Sequence, residues 1–173
     1  METVLDNGSE PESFARIGGY FYNINDSGGA TGDIFAQIKI GDRGNGGLEA
    51  FWYVDQRLTD DGSEWQELGI GTLIGPGTLQ YNTSYQVKLS YDGNSTFSFT
   101  VNGNTDGFTG PVKKREAVTS FKALSSGINA TNGSDNGFVS AKFDNVYIND
   151  QATLYEDFSS SPLDSGKWRS LEE

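Results

Sequence analysis

Histidine and cysteine are both absent from this 173-residue chain. Without imidazole there is no Ser-His or Cys-His nucleophile pair, no side-chain base that ordinarily titrates near neutrality and no histidine metal site. Without thiols there is no disulfide, thiolate zinc site or iron-sulfur cluster. The chemistry that remains belongs to carboxylates, tyrosines, lysines and amides, and any bound metal is expected to be a hard, oxygen-preferring ion such as calcium. Basic residues are few, 12 against 24 acidic ones, and the net charge is -12. A field of that sign repels phosphate backbones and anionic lipid, so neither nucleic acid nor a membrane surface is an expected partner. No apolar run approaches the roughly 18 residues that a membrane-crossing helix needs. The opening Met1 to Gly8 has neither the basic nor the apolar region of a signal peptide. A soluble chain, or a soluble piece of a secreted one, is expected.

What the chain does hold is strand chemistry. Its hydrophobic fraction is 35% and its aromatic fraction 13%, enough apolar volume for one core, and a single domain over residues 1–173 is expected. Glycine is frequent, at 23 residues, and shows no three-residue period, which points to many tight turns. Tyr85, Val87, Leu89 and Tyr91 alternate with polar residues, as do Phe97, Phe99 and Val101, and Asp92-Gly93-Asn94 between them supplies turn chemistry. That reads as a hairpin over 84–102. Ile34, Ala36, Ile38 and Ile40 lead through a glycine-rich turn into Leu48, Ala50, Trp52 and Val54, a second hairpin. The strand from Leu48 to Asp55 has large residues on both faces, with Phe51 and Tyr53 opposing Trp52 and Val54, so it is expected in mid-sheet with its second face covered or lining a concave surface.

Other segments carry interruptions. Phe14 to Asn23 has strand composition broken by Gly18-Gly19, read as a bulge. Val139, Ala141 and Phe143 share one phase while Val146 and Ile148 share the other, so a bulge or bend is expected at Asp144-Asn145. Ala117, Val118, Phe121 and Leu124 fit one stripe of a two-turn helix, and a strand from about Ser120 to Ala130 fits as well, so 113–124 reads as either helix or strand. Short strands with turn punctuation and at most one helix make the expected class all-β, a sandwich or jelly roll.

Several stretches resemble the concanavalin A-like lectin/glucanase superfamily, the fold shared with laminin G-like domains. The hairpin from Ser84 to Gly103 is similar to that family's paired strands ending in a Val-Asn-Gly turn, Phe143-Asp144-Asn145-Val146-Tyr147-Ile148-Asn149 to its closing strand, and Tyr155-Glu156-Asp157-Phe158-Ser159 with Leu163 to Trp168 to its opening strand. Segments 16–23 and 32–38 resemble repeat domains of secreted bacterial proteins with that fold. The resemblance implies a concanavalin A-like jelly-roll β-sandwich, a non-catalytic carbohydrate-binding or adhesion module of a secreted or cell-surface protein, and Trp168 in its core. It further implies one structural calcium ion near Asp144, with Glu156 and Asp157 as neighbours. The opening-like motif follows the closing-like one, so residues 155–173 either complete their own sandwich or, through 155–168, complete a neighbouring copy in a homo-oligomer, filament or tandem array.

Catalysis is not expected. Laminarinase-type members of that superfamily carry a Glu-x-Asp-x-Glu strand, which this sequence lacks. The nearest acids, Glu49 and Asp55, stand six positions apart, about 20 Å along an extended chain and too far for a glycosidase pair. For ligand contact the candidates are Tyr22, Phe51, Tyr53 and Trp65. Trp65 follows the polar run Asp60 to Glu64, where a core ring has no patterned place. The plainer reading of the other three is core. Segments 23–28 and 132–137 and the basic Lys113-Lys114-Arg115 read as solvated turns, and the six Asn-x-Ser/Thr triplets reflect composition.

Overall fold

The computed structural model describes residues 2–5, 13–21, 29–44, 46–110, 122–128, 139–147, 154–159 and 164–168. Within them lie ten strands: β1 (Glu2–Leu5), β2 (Ser13–Phe21), β3 (Ile34–Gly41), β4 (Glu49–Arg57), β5 (Trp65–Ile74), β6 (Tyr85–Tyr91), β7 (Thr96–Val101), β8 (Asn104–Thr109), β9 (Lys122–Ile128) and β10 (Ala141–Asp144). Among the described residues there is no helix. The strands form two five-stranded antiparallel sheets, ordered β10-β1-β6-β7-β8 and β5-β4-β3-β2-β9. The chain is all-β, and its architecture is that of a β-sandwich. Of 113–124, the last three residues lie in β9; the rest, with Tyr22, segments 23–28 and 132–137 and Lys113 to Arg115, fall outside the described residues.

The period-2 segments become the two inner faces. Ile34, Ala36, Ile38 and Ile40 of β3 and Ala50, Trp52 and Val54 of β4 pack against Tyr85 and Val87 of β6 and Phe97, Phe99 and Val101 of β7. Burying such side chains between two sheets is the main stabilising term for a sandwich. Trp52 joins the layers: its indole stacks on Phe99 with centroids 4.6 Å apart, and its Nε1 donates to Asp106 Oδ2 on β8 over 2.8 Å. The indole needs bare backbone beside it. Trp52 and Val54 face Gly71 and Gly69 across the β4–β5 pair, and a Cβ on Gly71 would strike both the Trp52 ring and the Asp106 carboxylate. The Gly-Ile-Gly run on β5 is thus a packing requirement of a residue on the next strand.

Turn chemistry fixes the hairpins. The Asp92 carboxylate accepts the N–H groups of Asn94, Ser95 and Thr96 over 2.8 to 3.0 Å, while Gly93 takes a positive φ of 84°. Asn102 and Gly103, with φ of 46° and 84°, form the two-residue turn that the right-handed strand twist favours. That turn leads into β8, a largely exposed edge strand.

Two expectations about interruptions resolve differently. Gly18-Gly19 is not a bulge, because β2 and β3 pair without a break from Phe14↔Gly41 to Phe21↔Ile34. The Phe35 ring lies across Gly18, and a side chain there would strike it. The irregularities instead fall in the β4–β5 pair, between Ala50 and Phe51 and between Val54 and Asp55. At Asp144-Asn145 the phase slip does mark a bend. The strand ends at Asp144, Asn145 turns left-handed at φ 52°, and Val146 comes back buried.

Tyr155 and Glu156 pair with their own chain beside that bend. Val146 donates to the Glu156 carbonyl and Tyr155 to the Val146 carbonyl, each over 2.8 Å, an isolated antiparallel bridge. Trp168 is half-buried rather than in the inter-sheet core. Its ring packs on Tyr155 and Phe158, with centroids 5.9 and 5.3 Å away.

Candidate functional site

Strands that bury alternate residues toward the other sheet turn the remaining ones outward. On β5-β4-β3-β2-β9 those outward residues are Phe14 and Arg16 of β2, Phe35, Gln37 and Lys39 of β3, Glu49, Phe51, Tyr53, Asp55 and Arg57 of β4, and Trp65, Glu67 and Ile70 of β5. The register sets Arg16 opposite Lys39, Lys39 opposite Phe51 and Gln37 opposite Tyr53, and Tyr53 opposite Ile70, Asp55 opposite Glu67 and Arg57 opposite Trp65. A surface face of this kind would ordinarily be polar. Here cations lie on aromatic rings.

Lys39 Nζ lies 4.1 Å from the Phe14 centroid and 5.3 Å from that of Tyr53. The Arg43 guanidinium lies 4.4 Å from Phe51, that of Arg16 lies 5.5 Å from Phe35, and that of Arg57 lies 5.5 Å from Trp65. Each contact joins a cation to the negative face of a ring, and the long stems cover apolar surface. Polar links complete the lattice. Gln37 Nε2 donates to Asp55 Oδ2 over 2.9 Å, and Arg16 Nε to Ser125 Oγ on β9 over 2.7 Å. Arg43 grips both oxygens of Glu49, each over 2.6 Å.

Burial divides this face. Glu49 and Phe51 are 0% and 1% exposed, and Phe14 and Phe35 are also buried. Tyr53 is half-buried, Trp65 is 40% exposed and Ile70 is 44% exposed. Trp65 is held in place although open: its ring meets Phe35 edge-on at 6.3 Å, and its Nε1 donates to the Gly62 carbonyl over 2.9 Å. Three of the four expected ligand contacts therefore share one face, with different parts. Tyr53 and Trp65 are accessible, whereas Phe51, closed beneath Arg43, braces Tyr53 edge-to-face at 5.6 Å.

Titration behaviour follows from the same packing. Burial, then the neighbouring Arg16 charge, lowers Lys39 to about 8, against an opposing pull from Asp55. Burial raises Asp55; the Gln37 hydrogen bond counters it and the Glu67 carboxylate adds to it. For Arg43 the direction is upward, chiefly through its hydrogen bonds to Glu49. The two acids weighed as a catalytic pair are thus differently occupied, Glu49 in a two-pronged ion pair and Asp55 with Gln37.

Of the candidate calcium residues, Asp144 ends β10, and Glu156 and Asp157 lie in the stretch 154–159. Asp144 is exposed, with its carboxylate accepting the N–H of Asn145 over 2.7 Å. Glu156 is buried, and the chain's own donors fill it. Oε1 accepts from Phe158 and Asp157 over 3.0 and 3.2 Å. Oε2 accepts from Trp168 Nε1 over 3.2 Å and lies 3.6 Å from Lys167 Nζ. Those bonds, the one from Phe158 foremost, lower the Glu156 pKa. Asp157 is lowered likewise through Ser159. Among the described residues no three acidic side chains converge as a metal group would require.

Arg16, Phe35, Gln37 and Lys39 were not singled out from sequence. The available signal was Gln37 and Lys39 standing in the outward phase of a strand otherwise composed of Ile, Phe, Ala and Gly. Taken together, fold and face define a class: an antiparallel β-sandwich with an aromatic, charge-laced outer sheet face. Comparison with family models, curated proteins and solved structures returns no match that would narrow it.

Proposed function

We propose that the chain is a non-catalytic binding module of a secreted or cell-surface protein, with a concanavalin A-like jelly-roll scaffold, that holds carbohydrate on the outer face of the β5-β4-β3-β2-β9 sheet. The observation that carries this reading is the exposed Trp65 at one end of the face and the Tyr53–Ile70 pair further along the same two strands, with the polar Asp55 and Glu67 between them and Gln37 opposite Tyr53. Sugar recognition needs that combination, a flat apolar ring for the C–H face of the sugar and fixed donors and acceptors for its hydroxyls. The missing catalytic acid motif and the ion-paired state of Glu49 favour binding over hydrolysis. Trp65→Ala is expected to weaken glycan binding about ten-fold, the equivalent of about 1.4 kcal/mol, with the fold intact because the ring lies outside the inter-sheet core. Glycan-array screening followed by calorimetry on both proteins measures this. Equal affinity for the two, or no glycan bound by either, would contradict the reading.

A further inference from the structure

Arg16 and Lys39 stand directly opposite each other on adjacent strands, where like charges repel. Lys39 is the more exceptional. Its ammonium sits between the rings of Phe14 and Tyr53, and among the described residues no acceptor takes a hydrogen bond from it. Its three donors find no acceptor among the described residues, and a ligand could take them. The charged groups that act on it are Arg16 from β2, which disfavours its charge, and Asp55 from β4, which favours it. Glu49 is matched by Arg43, and Asp55 is held by Gln37 beside Glu67. Among the described outward residues of β2 and β3 the charged ones, Arg16 and Lys39, are both cations, while Asp55 and Glu67 stand on the β4–β5 side.

We propose that the Arg16–Lys39 side of this face is a subsite for the negative group of an acidic sugar, a uronate carboxylate or a sugar sulfate, whose ring lies against Tyr53. The inference rests on the carbohydrate-binding reading above and names its ligand class. An anion here would relieve the repulsion between Arg16 and Lys39, satisfy the ammonium donors and restore the Lys39 pKa, which stands at about 8. Tyr53 stands one strand over and flanks the ammonium, so a single sugar can reach both. The net charge of -12 disfavours long polyphosphates, but beyond about 8 Å it is screened at physiological salt, and a short-range contact with one anionic ring survives it.

The test compares oligogalacturonate, its methyl ester, a sulfated chondroitin oligosaccharide and a neutral cello-oligosaccharide by calorimetry, on the full chain and on Lys39→Met, which keeps an apolar stem between the two rings. The expected result is that an acidic sugar binds at least ten-fold tighter than its uncharged counterpart, with the uronate and sulfate arms showing which group is preferred. Lys39→Met abolishes that preference, and in the unaltered chain the Lys39 titration followed by NMR moves upward from about 8 on saturation. Ester and acid binding equally, or a preference that persists in Lys39→Met, overturns the proposal. If only neutral glycans bind and Trp65→Ala weakens them, the acidic subsite is wrong and the binding module stands. If no glycan binds, both readings fall.

Discussion

Replacing Arg43 by methionine is expected to destabilise the fold by about 3–5 kcal/mol, because it strands a buried carboxylate. Glu49 is 0% exposed, and both its oxygens are held by Arg43. The ion pair itself need not stabilise the fold: removing two charges together from an apolar site is often neutral. Arg43→Met with Glu49→Leu is therefore expected to recover most of the loss, since Phe51 already offers apolar contact there. Urea unfolding of the two variants and the parent, at unchanged slope, measures the difference. A double variant as unstable as the single one would show that Glu49 is needed for more than accepting from Arg43.

Trp52→Ala is expected to cost a similar amount, about 3–5 kcal/mol, as truncation of a large core aromatic does. The loss has two components that a second variant separates. Trp52→Phe keeps a ring against Phe99 and Phe108 but removes the donor to Asp106. Because Asp106 is exposed, water replaces that donor, and the phenylalanine variant is expected to lose well under half as much. Thermal unfolding of both is the readout. Equal losses would assign the stability to the inter-sheet hydrogen bond instead of the stack.

The inter-sheet core was legible in the sequence because a period of two needs only a count of alternate residues. β3, β4, β6 and β7 announce themselves in this way; the glycine-rich run 41–47 marks the turn between the first two and Asp92-Gly93 the turn between the last two. β1 and β8 were not legible: Glu2–Leu5 is too short for a pattern, and Asn104–Thr109 is an edge strand whose polar residues resemble a loop. Gly18-Gly19 misled for a physical reason. A glycine vacated for a ring on a neighbouring strand and a glycine at a bulge look alike until the neighbour is known, and that neighbour, Phe35, lies 17 positions away.

The candidate face was half legible. Trp65 stood out by its polar surroundings, and Phe51 and Tyr53 by opposing a core phase. Exposure was beyond the sequence, since nothing local says that Arg43 closes over Phe51 and leaves Tyr53 open. The Lys39 environment was equally hidden. It depends on Phe14 of one flanking strand and Tyr53 of the other, and only the register of three strands assembles it.

Chemical-shift mapping of a bound glycan on the isotope-labelled chain tests most directly the claim that this outer face is the ligand surface. The account predicts perturbations concentrated at the Trp65 indole and the amides of Gln37, Lys39, Tyr53 and Ile70, with β6 and β7 in the opposite sheet unmoved. Perturbations confined to the β10-β1-β6-β7-β8 sheet, with the Trp65 indole unshifted at saturation, would contradict it.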